Sequence, residues 1–250
     1  MPMDVLETTA RSRGISRASA APNECPAGTR SGARAPRSVV CAVDRGSNSR
    51  AALRHAQLLV SPRGSVDCIP SAELLNHGAS AVRAGCEGHE LLLVGAGSAA
   101  FGALEHTTIP TLIARSCPLG RDVTDTILVP VDGSSECAEA ALLAGTLAAQ
   151  HGGTVTVMAA PRRDSELQRA LAASTREVLD ATGVTPRLIG GHIPPDRTIP
   201  LAAASLSASL VVLGSGPTKA ARSVTAQIAR RVGCSVLVVF GSRGSNARNP

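Results

Sequence analysis

The chain of 250 residues has no Trp, no Tyr and only two Phe, Phe101 and Phe240. Readers of single-stranded nucleic acid stack bases on aromatic platforms, so this composition speaks against a specific nucleic-acid partner. Lysine is nearly missing as well: Lys219 is the only one, and Arg carries almost all the positive charge. No run reaches the ~18 apolar residues of a membrane span, and the N-terminus lacks the apolar core of a secretory signal. Neither points to a membrane. The seven cysteines (25, 41, 68, 86, 117, 137 and 234) are odd in number and form no CxxC pair. That pattern fits small buried hydrophobes in a reducing compartment better than disulfides or structural zinc, and the expected location is cytoplasmic. His55, His77, His89, His106, His151 and His192 show no metal-ligand spacing, so no metal site is expected. Walker GxxxxGK[ST] and GxSxG motifs do not occur.

What remains is aliphatic: hydrophobic residues make up 44% of the chain, enough for thin helix–sheet layers built from Val, Leu, Ile and Ala. The formal charge of +6 sits mostly at the ends. Residues 1–37 carry six Arg against Asp4, Glu7 and Glu24, and the tail after Phe240 adds Arg243 and Arg248. The body between them is close to neutral and offers no basic binding face. Residues 1–37, without apolar periodicity, read as a disordered leader, and 242–250 as a disordered tail.

Two stretches repeat one pattern. Ser38-Val-Val-Cys-Ala-Val43 ends in Asp44, a turn with Gly46, and a helical stretch from Ser47 to Val60. Thr126-Ile-Leu-Val-Pro-Val131 ends in Asp132, Gly133, Ser134 and Ser135, with a helix to about Gln150. Continuous apolar runs, each followed by a helix, mark a parallel sheet buried on both faces. The second copy, 125–241, continues with strands at 154–160, 186–193, 209–213 and 235–240, and helices from Asp164, over 198–208 and over 223–232. That is βαβαβαβαβ. The first copy, 38–117, is shorter by about one βα unit on the ~30-residue scale of that motif. The missing piece reads as its second strand and following helix. The fold class is α/β: two tandem doubly wound parallel-sheet domains, the first shortened.

Three segments in order carry a family resemblance: Val129-Pro-Val-Asp132-Gly133-Ser134-Ser135, then Leu210-Val-Val-Leu-Gly214-Ser-Gly216, then Ser223-Val224 with Cys234-Ser-Val-Leu-Val-Val239. Together they resemble the universal stress protein family in its tandem form, with the adenine-nucleotide α-hydrolase-like fold. The resemblance implies ATP or another adenine nucleotide as ligand. Asp132 matches the aspartate that ends the first strand near adenosine, Gly214 the first glycine of the phosphate loop, and Ser223 the serine opening the last helix. Gly133, Ser134, Gly216, Lys219 and Arg222 complete the candidate set. The sequence departs from the family pattern where Pro217 and Arg222 replace glycines, and its loop is five residues shorter. The first copy retains Asp44 and Gly95-Ala-Gly97 but no Gly-Ser at a helix start.

Three functions follow as alternatives: a stress-response binding protein regulated by an adenine nucleotide, an interaction module without nucleotide, or a weak ATP hydrolase. No base or metal-binding carboxylate pair is visible, so the first two, both non-enzymatic, are preferred. The apolar last strands, 111–115 and 235–240, would expose unpaired edges in isolated domains. They are expected to pair antiparallel within the chain, with a homodimer as the other way of covering them.

Overall fold

A computed structural model describes residues 35–75, 78–117, 121–159, 183–190 and 195–241, with six positions between 171 and 182. Most of the leader and the whole of the tail lie outside these residues. The elements run β1 (Ser38–Val43), α1 (Ser47–Leu59), β2 (Ser65–Pro70), α2 (Ser71–Leu75), α3 (Gly78–Cys86), β3 (Leu91–Gly95), α4 (Ser98–His106) and β4 (Thr111–Ala114). They continue with β5 (Thr126–Val131), α5 (Ser135–His151), β6 (Thr154–Ala159), β7 (Arg187–Gly190), α6 (Pro195–Ser205), β8 (Leu210–Ser215), α7 (Lys219–Arg231) and β9 (Ser235–Phe240). Between β6 and β7, the described positions from Leu171 to Thr182 are helical, and Val178 is buried.

The strands form one sheet in the order β2-β1-β3-β4-β9-β8-β5-β6-β7. Every pairing is parallel except β4 with β9, where Thr111 lies opposite Val238, Leu112 opposite Leu237 and Ile113 opposite Val236. The sheets of the two halves are therefore continuous, four strands from residues 38–114 joined to five from 126–240 through the antiparallel β4–β9 pair. An unpaired backbone row at β4 and another at β9 would each be costly next to a buried core, and their pairing removes both.

The first half differs from expectation in one respect. β2 lies beside β1, Val39 opposite Val66 and Cys41 opposite Cys68, in the position that β6 holds beside β5. By position, what the first half lacks among the described residues is a counterpart of the outermost strand β7 and the helix before it. The second strand has its counterpart, because the open side of β1 has to be paired and β2 closes onto it.

Alternation along the strands splits the core into two layers. One layer places Val39, Leu112, Leu237, Val129 and Val157 under α1 and α5. The other places Val40, Ile113, Val236, Val238 and Val211 under α3, α4, α6 and α7. Both layers run without a break across the β4–β9 seam.

Two arginines fasten the seam. Arg222 on α7 donates from Nη1 to the carbonyls of Leu104, Glu105 and Thr107, each at 3.0 Å, at the C-terminal end of α4. Its guanidinium lies 4.7 Å from the Phe240 ring centroid. In the opposite sense, Arg115 beyond β4 donates to Ala229 O at 2.9 Å, near the end of α7, and to Cys234 O at 3.0 Å. The last carbonyls of a helix have no partner within it. Here each half supplies the cation for the other half's terminal helix. The chain's other Phe, Phe101 on α4, lies 5.1 Å beneath Arg230 of α7.

Candidate functional site

In a doubly wound sheet, ligands sit at the carboxyl ends of strands whose following helices leave on opposite faces. β5 and β8 are adjacent and parallel. The helix after β5, α5, belongs to one core layer and the helix after β8, α7, to the other. The crevice therefore opens between Asp132, just past β5, and the Gly214-Ser215-Gly216 end of β8.

Asp132 is exposed, and its Oδ1 accepts the Ser134 N–H at 2.9 Å. Gly133 between them has φ +89°, a left-handed backbone that glycine adopts without strain. Ser134 in turn caps α5, its hydroxyl accepting from Cys137 N at 3.3 Å. Partial burial raises the Asp132 pKa, but hydrogen bonds from the Ser134 hydroxyl and N–H, with help from Cys137, outweigh it and hold the carboxyl below its ordinary value. The group is a fixed carboxylate at neutral pH, able to accept from a ribose hydroxyl or an exocyclic amine.

Gly214 is required for packing. A Cβ there would stand 2.5 Å from Cys137 N and from Glu136 C, so the first turn of α5 rests directly on the end of β8. Gly95 has the same part in the first half, its Cβ position 2.7 Å from Ser49 N on α1. Gly216 is different: its Cβ position is 3.5 Å from Ala221 Cβ, an ordinary contact. Pro217 is exposed, and Thr218 caps α7 by accepting from Ala221 N at 3.1 Å.

That cap moves the start of the last helix. The sequence pattern predicts its start at Ser223, but the Thr218 cap starts it at Lys219, four residues earlier, and Ser223 lies on an exposed part of the second turn. Ser223 is therefore not an N-terminal phosphate donor. Arg222, expected beside it as an anion ligand, is directed into the seam on the α4 carbonyls. The backbone of Lys219 opens α7, while its side chain lies outside the described residues. Of the candidate set, the structure brings together Asp132, Gly133, Ser134, Gly214 and Gly216, with the α7 N-terminus beside them.

Two contributors were missed. Glu136, in the first turn of α5, accepts from the Ser135 hydroxyl at 3.1 Å, and its side chain lies against Gly241, where a Cβ would meet its Cγ and Oε1 at 2.7 Å. Thr218 had a readable signal, a hydroxyl residue following Pro217 at the head of a proline-free run rich in Ala and Arg. In the first half, Asp44 accepts from Gly46 N at 2.6 Å, repeating the Asp132 turn. There, however, the Asn48 side chain donates to Ala96 O at 2.9 Å and ties the loop after β3 to α1. Among the described residues no group of His, Cys, Asp and Glu is arranged to hold a metal ion, and no helix is long and apolar enough to cross a membrane.

A universal stress protein from Archaeoglobus fulgidus DSM 4304 superposes with a TM-score of 0.65, covering 84% of this chain and 98% of its own, at 13% identity. The protein PA1789 from Pseudomonas aeruginosa PAO1, described as functionally unknown, gives 0.57 over 82% of this chain and 93% of its own, at 17% identity. A universal stress protein solved in complex with cAMP is 26% identical over 47% of this chain and 98% of its own, with a TM-score of 0.41. Among curated proteins none matches the chain. Residues 124–239 match the model of the universal stress protein family.

Proposed function

We propose that the chain is a tandem universal stress protein with a shortened first copy, acting as a stress-response binding module that takes an adenine nucleoside or nucleotide in its second half. One observation carries this reading: the Asp132 carboxylate, fixed by Ser134, at the β5–β8 switch point and between the starts of α5 and α7. The protein supplies recognition without chemistry. Asp132 accepts a hydroxyl or amine proton from the ligand, and the two helix starts favour electron-rich groups. The first half is structural in this scheme, with Asn48 closing the corresponding loop. The β4–β9 pairing stands in for a dimer contact, so the chain should run as a monomer by light scattering.

The test is gentle isolation, followed by chromatography of released small molecules and calorimetry with adenine compounds. Losing a hydrogen bond to a charged group is worth about 1.5–3 kcal/mol, or roughly 10- to 150-fold in affinity. Asp132→Ala should weaken binding by that factor. Tight binding that survives the substitution would place the site elsewhere.

A further inference from the structure

The resemblance implies ATP, and the crevice does not fit a triphosphate. A phosphate cradle needs inward-pointing backbone N–H groups and cations. Pro217 has no N–H to give. Between Gly214 and the cap at Thr218 the loop has only three residues, one of them the buried Ser215, whose hydroxyl lies 3.1 Å from that of Thr225. Arg222 spends its Nη1 on three carbonyls of the other half, at 3.0 Å each. Ser223 is displaced into the second turn. In their place stands a carboxylate. Val239 lies opposite Gly214 and Phe240 opposite Ser215, so Gly241 continues level with Gly216, one strand across. Glu136 lies against Gly241. Carboxylates thus stand on both sides of the β8 end, Asp132 just past β5 and Glu136 against Gly241 just past β9.

We infer that this crevice takes an adenine nucleoside of low charge and discriminates against its triphosphate, an inference resting on the adenine-site reading above. Two carboxylates at the strand ends, acting over a Debye length of ~8 Å, repel every added phosphate charge. At a separation of ~7 Å and effective dielectric constants of ~20–80, the repulsion amounts to a factor of roughly 3 to 50 in affinity per unit charge.

The experiment is isothermal calorimetry of the full chain with adenosine, AMP and ATP, with and without Mg²⁺, on the wild type, Glu136→Gln and Lys219→Ala. Adenosine should bind at least about tenfold more tightly than ATP, with AMP between, and Glu136→Gln should narrow the gap about threefold or more. If Glu136→Gln does not fold, by circular dichroism, the wild-type ranking decides alone. ATP binding as tightly as adenosine or better overturns the inference while leaving the adenine site standing. Loss of that ATP preference in Lys219→Ala would identify the lysine as the phosphate ligand, and a preference seen only with Mg²⁺ and lost in Glu136→Gln would make the carboxylate a cation ligand; both overturn it. Failure of all three compounds to bind refutes the adenine site itself, and the inference with it.

Discussion

Replacing Arg222 with Ala removes its hydrogen bonds to three carbonyls together with its contact on the Phe240 ring. Its Nη1 has two hydrogens for the carbonyls of Leu104, Glu105 and Thr107, each at 3.0 Å, so it counts as about two shared bonds. A buried bond to a charged group is worth about 1.5–3 kcal/mol. Arg222 is only half-buried, and about 1 kcal/mol per bond is the appropriate discount. The ring of Phe240, 4.7 Å away, adds about 0.5–1 kcal/mol. The expected cost of Arg222→Ala is therefore about 3 kcal/mol, or a fall of roughly 6–12 °C in Tm for a chain of this size. Lysine keeps the charge and loses the fork, so Arg222→Lys should recover about a third. A cycle with Phe240→Leu should show a coupling of about 0.5–1 kcal/mol. Because the chain has no Trp or Tyr, urea unfolding is followed by far-ultraviolet circular dichroism. An Arg222→Ala protein within about 0.5 kcal/mol of the wild type, a change ordinary for a surface position, would refute the claim that this side chain fastens the two halves.

The glycines at the end of β8 should separate cleanly. Gly214→Ala drives a methyl into the α5 backbone and should cost about 1–3 kcal/mol or more, while Gly216→Ala should stay within about 0.5 kcal/mol by the same unfolding assay. His55, buried on α1 with Nε2 3.2 Å from Arg115 O and 3.3 Å from the Ser235 hydroxyl, is held below its ordinary pKa, chiefly by burial. Its unfolded form titrates near 6.5, so stability present above that pH is lost as pH falls through it toward the depressed folded value. Between pH 7.5 and 5.5 the wild type should lose more stability than His55→Gln, and equal losses would exonerate the histidine.

The strands were legible where burial on both faces made them continuous apolar runs, as at Val39–Ala42, Ile127–Val131 and Val236–Phe240. Asp132, Ser134 and the Gly152 end of α5 were legible too, because caps and turns are local chemistry. The left-handed Gly152, at φ 70° and ψ 22°, is what a helix-ending glycine predicts. The position of β2 was less so. Only Val66 and Ile69 among its residues are even half-buried, and the choice of a neighbour is made by the open side of β1. Arg222 misled for a comparable reason. Beside a glycine-ended strand it resembles an anion ligand, but its acceptors lie more than a hundred residues earlier, and no local pattern announces them. Ser223 failed through a competing local signal, since Thr218 is the better cap and takes the helix start with it.

The seam also imposes a schedule on synthesis. Thr111 cannot find its partner until Val238 has been made, 127 positions later by their numbering, which at about 5–20 residues per second is roughly 6–25 s. During that interval the four strands of the first half emerge with β4 open along one side and with Arg115 lacking its acceptors on α7. Nascent chains on neighbouring ribosomes present the same open strand at the same time, and a β4 paired with another chain's β9 would satisfy the same backbone groups. Slow translation between the halves would lengthen this exposure, and folding yield should depend on the speed at which the second half is made.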